Sequence, residues 1–154
     1  MKQSFLLALI YFFVLNSCGF KVASFQQNFN ISEVNSIGDT RINYKIKNKL
    51  LSNNKSSSQN LIIINIDSNK IKSIKEKNIN NEVTKYELTI NSKIDYEALN
   101  SNLVGSFSLS KRGDYSVSEK YSDTLIKEKK LLSSLVNELS NEIQETIINI
   151  FNDS

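Results

Sequence analysis

The chain has 154 residues, a formal net charge of +3, one Cys, and no His, Trp or Pro. Without His, nucleophile–histidine pairs and the common zinc geometries are missing, and so small a charge gives no global steer toward nucleic acid. Ser (23), Asn (21), Ile (19) and Lys (17) dominate while Arg occurs twice, so lysine density alone marks no surface and local spacing must carry the argument.

Lys2 supplies the single positive charge ahead of Phe5 to Leu15, eleven consecutive apolar residues. That length suits a signal-peptide core and falls short of the ~20 residues that a spanning helix needs. Leu15-Asn16-Ser17-Cys18-Gly19 follows at once and resembles a bacterial lipobox, where a lipoprotein precursor is acylated on cysteine and cleaved. Ser17 is the small residue before the cleavage point and Leu15 the branched apolar one, whereas Asn16 departs from the pattern. The alternative is an ordinary secretory leader with Cys18 just inside the mature chain. A lone cysteine has no disulfide partner in its own chain, and acylation gives it a use. Residues 1–17 are thus read as a lipoprotein signal peptide and 18–154 as one domain. Those 137 residues are ample for a single core, and losing Lys2 takes the charge to +2.

Asn28 to Val34 alternates weakly, with Phe29 and Ile31 on one side, and is read as a first strand. Asp39 and Thr40 offer N-cap chemistry before Ile42, Ile46 and Leu50 recur at spacing four, which predicts an amphipathic helix over Thr40 to Leu51. Leu61 to Ile66 is a β-branched run suited to a covered strand, and the Lys-rich stretch Asp67 to Glu82 is read as the polar connection after it. Tyr86, Leu88, Ile90, Ile94 and Tyr96 share one parity and charged or polar residues the other, a half-buried strand. Leu103, Gly105, Phe107 and Leu109 repeat the pattern after the Asn100-Ser101-Asn102 turn, so the two strands predict an antiparallel hairpin. Lys111-Arg112-Gly113-Asp114 is expected to break or turn that strand, with Tyr115 and Val117 as its possible extension. From Ser122 onward an apolar stripe including Leu132, Leu135, Leu139, Ile143 and Ile147 predicts a long final helix. The fold class is α/β in the α+β sense: a two-layer sandwich with a four-stranded, mostly antiparallel or mixed sheet and two helices on one face.

The order of these pieces resembles the LPS-assembly lipoprotein LptE family. The resemblance rests on Cys18-Gly19-Phe20, on Tyr86-Glu87-Leu88-Thr89-Ile90 followed by Ile94-Asp95-Tyr96, and on Gly105-Ser106-Phe107 leading to Tyr115. Tyr121-Ser122-Asp123-Thr124-Leu125, opening into the final helix, completes it. The early small residues usual in that family's last helix are here Lys127, Lys129 and Lys130, and its loop prolines are absent. The resemblance implies an outer-membrane lipoprotein, lipid-anchored at Cys18 on the periplasmic side. It would plug the lumen of an LptD-type β-barrel, assist its assembly and bind lipopolysaccharide. No cofactor, metal or nucleic-acid partner is implied. The alternative is another envelope lipoprotein acting as a secretion-channel pilot or assembly adaptor.

Lys70, Lys72, Lys75, Lys77 and Arg112 are the candidate lipopolysaccharide contacts, because ammonium and guanidinium groups pair with phosphate and carboxylate. A solvated loop and a plain turn residue are the competing readings of the four lysines and of Arg112. No catalytic residue is expected. Asp95 and Glu97 share a polar strand face, Glu138, Glu142 and Glu145 form the wet side of the last helix, and four glycines make no phosphate loop.

Overall fold

The isoleucine run at Leu61–Ile66 lies in the interior of a four-stranded sheet. The computed structural model describes residues 29–52, 54 and 60–152; the leader, Cys18 and Asn28, where the first strand was expected to begin, lie outside the described residues. Six elements follow in the order β1 (Asn30–Gly38), α1 (Thr40–Ser52), β2 (Leu61–Lys77), β3 (Val83–Ala98), β4 (Val104–Ser116) and α2 (Tyr121–Asn152). The strands stand side by side in chain order. β1 pairs with β2 in parallel, across the α1 connection, while β2, β3 and β4 form an antiparallel meander. The sheet is therefore mixed, as the expected α+β sandwich allows.

Period two decides which face is covered. Ile62, Ile64 and Ile66 of β2 and Leu88, Ile90 and Ile94 of β3 point into the core, where they meet Ile42 and Ile46 of α1 and Leu139, Ile143 and Ile147 of α2. The opposite face is polar. There Asn91 donates to Asn69 at 3.0 Å and Ser110 donates to Asn91 at 2.8 Å, so side-chain amides and hydroxyls bridge three strands. At the lower end the Phe29 and Phe151 rings lie 5.1 Å apart and close the core.

Gly38 joins β1 to α1 with φ +90°, and a Cβ there would collide with the Ser68 carbonyl oxygen. Asp39 then caps α1, its carboxylate accepting from the Arg41 and Ile42 amides at 3.0 and 3.1 Å.

Two expectations are corrected. β2 does not stop at Ile66; it continues through the Lys-rich segment to Lys77, and only Asn78 to Glu82 turns. That half of β2 is wet on both sides, so no apolar alternation betrays it, and backbone pairing with β3 from Asn69↔Asn91 to Lys77↔Val83 holds it extended. β4 likewise runs through Lys111-Arg112-Gly113-Asp114 without a register shift. Gly113 is no break there; Leu131 of α2 fills the space that its side chain would occupy. The first strand and first helix also differ slightly in bounds, β1 reaching Gly38 and α1 reaching Ser52.

Candidate functional site

β1 accompanies β2 only as far as Ser68. Beyond it, Asn69–Lys77 and its β3 partner strand project as a hairpin spanning roughly 30 Å at ~3.3 Å per residue, flanked by β4 and by the first turns of α2. The turn is built by Asn78, whose side chain accepts from the Asn80 and Glu82 amides at 3.0 and 2.9 Å, and Asn81 takes the positive φ of 63°.

The hairpin gathers the expected cations but not onto one face. Lys70 and Lys72 stand on the helix side, whereas Lys75, paired with Asp114 at 2.8 Å, and Arg112 stand on the open side. Lys77 donates to Asn81 at 2.8 Å beside the turn. Isoleucines lie among them: Ile71 and Ile74 are half exposed and Ile79, in the turn, fully so. Ile71, Thr89 and Arg112 form one cross-strand row. Apolar methyl groups therefore alternate with positive charge over this projection.

Lys72 is the most constrained of the five. Its ammonium lies 2.7 Å from Glu128 and 4.3 Å from the centre of the Tyr86 ring, which stacks on Tyr115 at 5.7 Å. Tyr115 donates to the same Glu128 oxygen at 2.6 Å. Burial alone would raise the Glu128 carboxyl, but the hydrogen bonds from Lys72 and Tyr115 outweigh it and hold the group below its usual range. The Glu128 hydrogen bond in turn holds Lys72 above the ordinary lysine range. Burial first, then the bond to Glu128, pushes the Tyr115 phenol up. A cleft of about 220 Å³ opens beside this group, lined by Lys72, Tyr86, Val117, Tyr121, Leu125 and Glu128.

Ion pairs engage the neighbouring charges as well. Lys85 meets Glu76 at 2.8 Å and Lys111 meets Glu142 at 2.5 Å. Among the described residues, Lys70 and Arg112 are members of the candidate set with neither an ion pair nor a side-chain hydrogen bond, which leaves their donors available to a ligand. Sequence reasoning found the cations and missed the Tyr86–Tyr115–Glu128 group that fixes Lys72. Its signal existed only in register: once β3 pairs with β4, Tyr86 must face Tyr115.

Among the described residues, no helix is long and apolar enough to cross a membrane, and no cluster of three or more acidic, Cys or His side chains is placed to hold a metal ion.

No family model matches the sequence, and no curated protein matches it. Solved structures do match. Rare lipoprotein B from Shewanella oneidensis superposes with a TM-score of 0.52 at 14% identity, over 79% of this chain and 94% of that one. Lipoprotein B from Nitrosomonas europaea gives 0.58 at 14% identity, over 87% and 93%. A lipoprotein from Caulobacter crescentus gives 0.57 at 10% identity, over 78% and 90%. At such identities the likeness concerns architecture, and in architecture this chain has the four-stranded, two-helix fold of these lipoproteins.

Proposed function

We propose that the chain is an outer-membrane lipoprotein, anchored through Cys18, that plugs an LptD-type β-barrel and presents its projecting hairpin to lipopolysaccharide. The observation that carries this reading is the hairpin itself, which bears the available Lys70 donor and the exposed Ile71, Ile74 and Ile79 along its length. That alternation suits an amphiphile with an anionic head group, since methyl groups take the acyl portion and the cations take phosphate. The polar open face of the sheet supports the plug role, because the lumen wall of a large barrel is itself polar. The anchor takes more than one acyl chain, as a single chain holds only marginally. The role is one of binding and scaffolding rather than catalysis.

Affinity purification of the full-length protein from detergent-solubilised membranes tests the partner. Recovery of an LptD-type barrel supports the reading; recovery of a secretion channel instead would favour a pilot role. For the ligand, Lys70→Ala should lower lipopolysaccharide affinity several-fold without loosening the barrel. Unchanged affinity removes the hairpin from the ligand site.

A further inference from the structure

Unpaired sheet edges invite other strands, and most of this sheet's edge is blunted. On β1, the Ile31 amide donates to Asn54, the Asn54 side chain donates back to the Ile31 carbonyl, and Lys47 donates to the Val34 carbonyl, each at 2.9 Å. A register shift between Ile31 and Glu33 further disturbs that edge. The part of β2 beyond Ser68 carries lysines, and two register shifts fall between Ile74 and Lys77.

β4 carries Lys111 and Arg112 but has no register shift. It pairs with β3 in unbroken register from Lys85↔Ser116 to Glu97↔Val104. The Ala98 amide donates to the Leu103 carbonyl and the Val117 amide to the Thr84 carbonyl, so the odd-numbered residues of β4 exchange hydrogen bonds with β3. The even-numbered residues from Val104 to Ser116 consequently turn their N–H and C=O groups outward. Among the described residues no side chain bonds these groups. Three of the outward positions are Ser106, Ser108 and Ser110, whose small side chains leave that stretch of the edge clear, whereas Ser116 accepts a hydrogen bond from Lys127 of α2 at 2.9 Å.

Sterics limit what can add there. α2 lies over β4 itself: a Cβ on Gly113 would meet Leu131 at 2.8 Å, and Tyr115 bonds Glu128 directly. A second copy pairing through the same edge would bring its own α2 to about one strand spacing, ~4.8 Å, whereas packed helices need roughly 8–10 Å. The occupant is therefore a single extended segment with no helix above it. Arg112, which has no ion pair among the described residues, lies on this strand and calls for a carboxylate on that segment.

We infer that β4 receives one extended, carboxylate-bearing terminal or loop segment of the barrel protein by strand addition. This rests on the barrel partnership proposed above; the barrel's own closed strands have no edge to offer. The test uses the full-length tagged protein in its native membranes, as wild type, Ser108→Pro and Arg112→Glu. Because the Ser108 N–H points away from β3, proline there leaves the internal ladder intact. Barrel recovery should fall at least about tenfold with Ser108→Pro and several-fold with Arg112→Glu. Equal recovery from wild type and both variants overturns strand addition while leaving the partnership standing. No barrel with wild type overturns the partnership itself, and this occupant with it. Hydrogen exchange on wild type decides the matter even if the proline variant unfolds. The outward amides of β4 should exchange at least about tenfold more slowly in the complex than in the free protein, and equal rates overturn the inference. Protection already present in a self-associated dimer, detected by sedimentation, assigns the edge to a second copy and overturns it too.

Discussion

Glu128→Gln is the most direct probe of the hairpin's base. The substitution keeps an oxygen that can accept from Tyr115 and removes the counter-charge of Lys72, which lies 2.7 Å away. A hydrogen bond to a charged group contributes about 1.5–3 kcal/mol. The Lys72 side chain is 39% exposed against 17% for Glu128, so solvent screening draws the pair's share toward the lower end. The expected loss is about 2 kcal/mol, a fall in Tm of roughly 6–10 °C for a domain of this size. The sign with pH follows from the two shifts. Glu128 is held low, so its contribution is present above the ordinary carboxylate pKa and disappears as pH falls through the lower folded value. Lys72 is held high, so its share persists below 10.5 and is lost only as pH rises through the folded value above that. Urea denaturation followed by circular dichroism between pH 3 and 7 should show wild type and variant converging toward the acid end. A loss below about 0.5 kcal/mol, or a difference constant across that range, would refute the reasoning.

Three further outcomes are expected. Gly38→Ala should cost about 2–4 kcal/mol, combining a positive φ with a backbone clash against Ser68, as read from urea midpoints; a neutral result would mean that the β1–α1 junction shifts freely. Ile94→Ala, at a fully buried site, should cost about 2–5 kcal/mol by the same assay, and a loss under ~1 kcal/mol would mean that the core recloses around the cavity. Cys18→Ala should release the protein from membranes with its Tm unchanged, and a wild-type protein unlabelled by metabolic fatty acid would remove the anchor.

Legibility in the sequence tracked burial on one face. β3 declares itself because Leu88, Ile90 and Ile94 are covered while Glu87, Thr89 and Lys93 are not, and α2 does so because Leu139, Ile143 and Ile147 share one stripe. Asn69–Lys77 has no covered face, so its extended form follows only from pairing with β3, an interaction between backbone groups that side-chain chemistry does not encode. Lys111-Arg112-Gly113-Asp114 reads as a turn in isolation, yet Gly113 is small because α2 passes over it. The site was legible in the same partial way. The cations are plain in the sequence, but their division between two faces and the hold of Glu128 on Lys72 depend on register.

The parallel β1–β2 pair carries a kinetic consequence. β2, β3 and β4 are joined by the short connections Asn78–Glu82 and Leu99–Leu103, so the meander closes small loops and assembles early. β1 must span α1 and the segment after it before it can meet β2, which makes it the late arrival. The strand nearest Cys18 is thus the last to dock. The meander, together with the outward edge of β4, can therefore form before the N-terminal strand joins the sheet.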